Sequence, residues 1–228
     1  MNIIRKLVMA ELPAETLLSS SSREKCVANL RDLPTSTYSN KTPTLTAAVL
    51  VPICVVDGEV SLLYTLRSAQ LKRNSGQVSF PGGKTDDGET SVHTALRETE
   101  EELGIPRHTV DVWGTMPPVQ GADKNMVIHP VVGMIKDFNM SQLNPSEDEV
   151  EAVFTVPVKQ LCDPSTHGHY EFKEQPLPVF LSGNYKIWGI TGYITHSFLK
   201  CFVESDMANA NFLGRKYELH ELMPNSKL

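Results

Sequence analysis

Cysteine is scarce in this chain. Cys26, Cys54, Cys162 and Cys201 are scattered through 228 residues without metal or redox spacing, so reduced structural thiols are expected. Long hydrophobic runs are missing too. The longest, Ala47-Ala48-Val49-Leu50-Val51-Pro52-Ile53-Cys54-Val55-Val56, falls short of the ~18 apolar residues that cross a bilayer. It reads as a buried strand that Pro52 bends or ends. There is no excess of positive charge: 21 Lys and Arg against 27 Asp and Glu leave a net charge of −6, which excludes a broad basic footprint for nucleic acid. The opening MNIIRKLVMAELPAETLL lacks the apolar core and small-residue cleavage site of a secretory signal, and Glu11 and Glu15 count against a mitochondrial presequence despite Arg5 and Lys6. No repeat is present, and no low-complexity linker beyond Ser19–Ser22.

What is present suits one domain. A chain of 228 residues with 40% hydrophobic content can bury a sizeable core. Residues 1–43 read as a tail and a short helix, with Ser22 capping a helix from Arg23 to about Leu33. Residues 44–205 carry the main domain and 206–228 a tail. Asp57-Gly58 between two apolar runs predicts a hairpin. The segments TVDVWGTM, MVIHPVVGMI and VFTVPV read as strands, followed by a short helix near Val158 to Cys162. A strand pair (Tyr170 to Phe172, Val179 to Leu181) and a helix from about Ile190 to Val203 close the domain. Helices on both sides of a mixed sheet, an α/β/α sandwich, is the expected architecture.

The most informative stretch is Gly83 to Ile105, GKTDDGETSVHTALRETEEELGI. Val92, Ala95, Leu96, Thr99 and Leu103 recur at helical spacing and mark a buried stripe. At about 100° per residue, Glu98 and Glu102 lie within roughly 40° of each other on one flank of it. Glu101 sits farther round, and Glu100 projects from the opposite flank. Like charges at i,i+4 destabilise a bare helix, and a hard divalent cation with oxygen ligands, such as Mg²⁺, would compensate them. A glutamate-rich helix with a solvated face is the plainer reading of ETEEE alone.

The fixed positions around it favour the first reading. Gly83, Glu89, Arg97-Glu98, Glu101-Glu102, Gly104 and Ile105 resemble the signature box of the Nudix hydrolases, G-x5-E-x7-R-E-U-x-E-E-x-G-U, with U a bulky aliphatic residue. Thr99 at the first U is the one departure. The resemblance implies a Nudix-type α/β/α sandwich and metal-dependent hydrolysis of a nucleoside diphosphate linked to another group. It implies Mg²⁺ or Mn²⁺ held by Glu98 and Glu102, with Glu101 a further ligand or the base acting on water. Arg97 would orient these carboxylates, and Glu89 would be structural.

Residues Leu62 to Gly83, LLYTLRSAQLKRNSGQVSFPGG, place Arg67, Lys72 and Arg73 in one turn. An acidic protein that binds a polyanion must concentrate positive charge locally, and Arg suits bidentate phosphate recognition. Edge-strand charge protection is the alternative reading of these cations. The segment resembles the extra motif of the coenzyme A pyrophosphatase branch, L-L-T-x-R-S-A-x3-R-x-x-G-x3-F-P-G-G, with Tyr64 interrupting L-L-T. Ser146-Glu147-Asp148-Glu149-Val150 and Ile187-Trp188-Gly189-Ile190-Thr191 resemble later landmarks of that branch, so the likeness runs from about Thr46 to Glu204. It implies cleavage of coenzyme A or acyl-CoA to 3′,5′-ADP and 4′-phosphopantetheine or its acyl derivative, with Arg67, Arg73, Gly82 and Gly83 on the substrate side.

Glu149, in the acidic run before VFTVPV, is a candidate carboxylate from outside the box. Ser226-Lys227-Leu228 matches the tripeptide read by the peroxisomal import receptor, and the branch has peroxisomal members that end likewise, so a peroxisomal location is expected. His129 and Trp188 read as structural. Rival functions are hydrolysis of ADP-ribose or NADH, and a non-catalytic nucleotide sensor or scaffold; the box carboxylates, all present, argue against the last.

Overall fold

Side chains along the strand Leu45–Val56 (β1) alternate between two cores, as the two-residue period of a strand covered on both faces requires. Val51 and Ile53 join one cluster; Ala48, Leu50 and Cys54 join the other. The computed structural model describes residues 13–35, 43–71, 74–121, 125–204 and 212–223. Arg73, Ser226, Lys227 and Leu228, singled out above, lie outside the described residues.

The hairpin expected at Asp57-Gly58 forms, with φ of 50° and 80°, and leads into Glu59–Arg67 (β2). Val78–Ser79 (β3), Gly82–Lys84 (β4), Val110–Thr115 (β5), Val119–Gln120 (β6), Met126–Ile135 (β7) and Val150–Pro157 (β8) complete the first sheet. Its main path runs β3-β2-β1-β7-β5, while β4 pairs with β1, β6 with β7 and β8 with β2. Only β1 and β7 are parallel among these pairs, so the sheet is mixed. Helices Ser20–Arg31 and Gly189–Phe202 cover one face through Cys26, Leu30, Ile194 and Phe198. Helix Ser91–Leu103 covers the other through Ala95 and Leu103. This is the expected sandwich.

Four details differ from expectation. Pro52 does not end β1: it falls between the stretch paired with β4 (Ala47 to Val49) and the stretch paired with β2 (Ile53 to Val56), where a missing N–H breaks no antiparallel ladder. The cap of the first helix is Ser19, whose hydroxyl accepts from the Ser22 N–H at 3.3 Å. That helix is not a preface to the domain, because Cys26 and Leu30 are buried in its core and Arg23 makes a two-point contact with Asp111 on β5, at 2.8 and 3.0 Å. Finally, His167–Phe172 (β9), Gln175–Ser182 (β10), Tyr185–Ile187 (β11) and Arg215–Lys216 (β12) form a second sheet, in the order β11-β10-β9-β12. Residues read as tail therefore contribute a strand, and Tyr217 and Leu222 beyond it are buried. Trp188 packs edge-on against Tyr170 beside them. All four cysteines are free and buried.

Candidate functional site

The glutamate helix begins where the Thr90 hydroxyl accepts the His93 N–H at 3.2 Å, and it ends at Gly104, whose φ of 72° suits a glycine. Two further chain segments then approach it. The first is the turn Phe80 to Gly83. Gly82 has φ of 150°, and a Cβ there would collide with the Ala48 carbonyl, so only glycine lets β4 lie against β1. Its N–H donates to Glu102 Oε2 at 3.2 Å. A Cβ on Gly83 would occupy the place of the Glu98 carboxylate. Two adjacent glycines thus let two helix carboxylates come up against backbone.

The second segment follows the helix at a distance in sequence. Asn144 N–H donates to the Leu103 carbonyl and Ser146 N–H to the Glu102 carbonyl, both at 2.9 Å, which satisfies two orphan acceptors of the helix end. Glu149 lies three residues on, with its carbonyl accepting the Ser68 N–H at 2.9 Å. The loop that caps the helix therefore also carries Glu149 to the residue next to Arg67.

Arg97 organises the carboxylates. Its Nε and Nη2 donate to the two oxygens of Glu89 at 2.8 and 2.9 Å; its Nη1 reaches Glu98 Oε1 and Glu101 Oε2, each at 2.9 Å. Nη2 also donates to the Lys84 carbonyl at 3.1 Å. These charge-assisted bonds hold the Glu89 carboxyl down at about 2. Glu102 has the opposite environment. It is 3% exposed, and burial pushes its carboxyl up to about 8, with Arg67 and the Gly82 N–H pulling it back and Glu149 and Glu98 adding to the rise. Burial also raises Glu98, against the pull of Arg97. Arg67 Nη1 stands 3.8 Å from Glu102 Oε1, while its buried Nε has no hydrogen-bond partner.

The structure thus brings Glu98, Glu101, Glu102, Arg97, Arg67, Gly82, Gly83 and Glu149 to one region. Sequence reasoning put Glu102 on the flank of the buried stripe; it is inside it, with Thr94, because Gly82 and Arg67 cover it from another part of the chain. Arg67, read as a substrate contact, also faces Glu102. The capping bonds from Asn144 and Ser146 had no signal in the sequence, since main-chain donors leave none.

Does this set suit a divalent cation? Among the described residues, no three His, Cys, Asp or Glu side chains enclose an ion as they lie. Arg97 holds one oxygen each of Glu98 and Glu101, which leaves the other oxygens available. The donors are carboxylates, the ligands of hard cations, and the buried charge of Glu102 is unfavourable until something positive compensates it. The residues fit.

A family model described as NUDIX domain matches residues 44–176. The chain is 39% identical over 197 residues to "Mitochondrial coenzyme A diphosphatase NUDT8" of Mus musculus, across 80% of this chain and 89% of that protein. To the Homo sapiens protein of the same name it is 44% identical over 161 residues, 68% of each. "Nudix hydrolase 3" of Caenorhabditis elegans is 34% identical over 200 residues, 78% of this chain and 83% of that one. A solved C. elegans Ap4A hydrolase binary complex matches with a TM-score of 0.43 and 19% identity, over 52% of this chain and 83% of that chain. The peroxisomal location expected from Ser226-Lys227-Leu228 is corrected by these findings: both coenzyme A diphosphatases are named as mitochondrial. No helix among the described residues is long and apolar enough to cross a membrane.

Proposed function

The chain belongs to the Nudix hydrolase family, and from that premise we propose that it hydrolyses the diphosphate of coenzyme A and its acyl derivatives to 3′,5′-ADP and 4′-phosphopantetheine or acyl-phosphopantetheine. Enzymes of this family use divalent metals, and Mg²⁺ or Mn²⁺ is the proposed ion. The observation that carries the reading is the junction of Glu98 and Glu102 with the Gly82-Gly83 turn and Arg67. Relatives named as coenzyme A diphosphatases, similar over most of this chain, support the substrate.

Glu98 and Glu102 would hold the ion, with Glu101 and Glu149 as further oxygen donors. Bound there, a divalent cation would supply Lewis-acid neutralisation of the diphosphate oxygens and a more acidic water. The protein's own groups do the rest. Arg97, fixed by Glu89, sets the orientation of Glu98 and Glu101, so little geometry has to be found during turnover. Glu101 is 55% exposed on its side chain and has one oxygen off Arg97, free to accept a proton from the attacking water. The unpartnered Nε of Arg67 is a donor for a phosphate oxygen. Arg73, outside the described residues, is a proposed second phosphate contact.

Incubation with coenzyme A and Mg²⁺ or Mn²⁺, with ADP-ribose and NADH in parallel and chromatography of the products, tests this. Release of 3′,5′-ADP with 4′-phosphopantetheine is expected. Cleavage of ADP-ribose or NADH with coenzyme A intact would overturn the substrate. No cleavage with either metal would overturn catalysis in favour of a nucleotide-sensing domain.

A further inference from the structure

We propose that Leu219 and Met223 form an apolar wall that receives the acyl group of acyl-CoA substrates and sets their preference over free coenzyme A. The proposal rests on the coenzyme A reading above.

Register connects this segment to the site. Arg67 N–H donates to the Gln77 carbonyl at 3.0 Å, and Gly76 N–H donates to the Arg67 carbonyl at 2.8 Å. Two residues therefore oppose one, a β-bulge, and Gln77 lies on the side of the sheet to which Arg67 directs its guanidinium toward Glu102. From there Gln77 Nε2 donates to Met223 Sδ at 3.7 Å. Met223 N–H donates to the Leu219 carbonyl at 3.0 Å, so the two side chains stand one turn apart on one helix face. Leu219 is 56% exposed, an apolar side chain of this size left to solvent while its neighbour Leu222 is buried.

The wall is fixed rather than loose. β12 pairs with β9, Arg215 stacks over Tyr217 at 4.3 Å and ion-pairs with Glu221 at 3.0 Å, and Glu218 N–H donates to Glu221 at 2.8 Å. Lys186 holds the Glu221 carbonyl. The thioester of coenzyme A stands at the far end of a flexible arm from the diphosphate. An acyl chain therefore needs a surface set back from the carboxylates, and Leu219 lies one helical turn from Met223, which Gln77 ties to the strand edge beside Arg67. An exposed leucine on an ordered scaffold gains from covering an alkyl chain, and it enters mainly through substrate affinity.

The test is kcat/KM of the purified full chain for coenzyme A, acetyl-CoA and dodecanoyl-CoA, in wild type, Leu219→Asp, Met223→Glu and the conservative Leu219→Met. In Leu219→Asp the dodecanoyl-to-acetyl ratio should fall roughly tenfold, chiefly through KM, as expected for losing a leucine's cover on an alkyl chain. Met223→Glu should move the ratio the same way, and Leu219→Met should keep it. If both acidic variants cleave with the wild-type ratio, the wall is wrong while the coenzyme A reading stands. If wild type cleaves no coenzyme A species, the underlying reading falls and takes the wall with it.

Discussion

Glu100 and Glu102 are the same residue type, two positions apart on one helix, and they live in different chemical worlds. Glu100 lies 39% exposed and pairs with Arg107 at 2.6 Å, an ordinary surface contact. Glu102 is 3% exposed, under the Gly82 N–H and Arg67, with its carboxyl pushed up to about 8. Helix geometry separates the two only by direction; what sets Glu102 apart is the chain that covers it. A buried carboxylate with incomplete compensation is a cost to the fold, and it marks the place where an added positive charge does the most good.

The sharpest way to break the contrast is Glu102→Gln. Turnover should fall by about a thousandfold or more, since loss of the proposed metal contact acts directly on transition-state charge. The melting temperature of the metal-free protein at neutral pH should rise, because folding no longer has to desolvate or protonate a carboxyl that is ionised in the unfolded chain. Loss of activity with a lower melting temperature would show instead that Glu102 is needed for folding. Next in size is Gly83→Ala, whose Cβ must displace the Glu98 carboxylate. Because the displaced group is the end of a flexible side chain, kcat should drop about a hundredfold with little change in thermal midpoint, measured by kinetics and calorimetry side by side; near-normal kcat would remove Glu98 from the site. Glu100→Gln should do least: stability within about 0.5 kcal/mol by denaturant titration and turnover within about twofold of wild type. A large effect there would erase the distinction between the two flanks.

Much of this was legible beforehand. The stripe of Val92, Ala95, Leu96, Thr99 and Leu103 falls in the helix Ser91–Leu103, and the Asp57-Gly58 signal found the hairpin. Both are local features, written in spacing and turn chemistry. The burial of Glu102 was not legible, because a helical wheel contains only its own helix and the covering groups come from residues 67 and 82. That β1 continues through Pro52 rather than ending there was hidden for a similar reason: it depends on where β4 gives way to β2, which is a property of pairing. The strand pair at the centre of the second sheet was legible, but its fourth strand was not, because β12 is two residues long and pairs with residues 47 positions earlier, Arg215 with Gly168 and Lys216 with His169.

The end of the glutamate helix and the loop that carries Glu149 are joined in time as well as in space. The carbonyls of Glu102 and Leu103 are closed by main-chain donors of Ser146 and Asn144, on the loop that leads to Glu149. Fraying of the last helical turn and release of that loop are therefore a single opening event, and amide hydrogen exchange at Asn144 and Ser146 should share one protection free energy. A cation held by the proposed ligands Glu102 and Glu149 would lock both halves of that event at once, so its binding would be felt as slower exchange across a segment much wider than the ion itself.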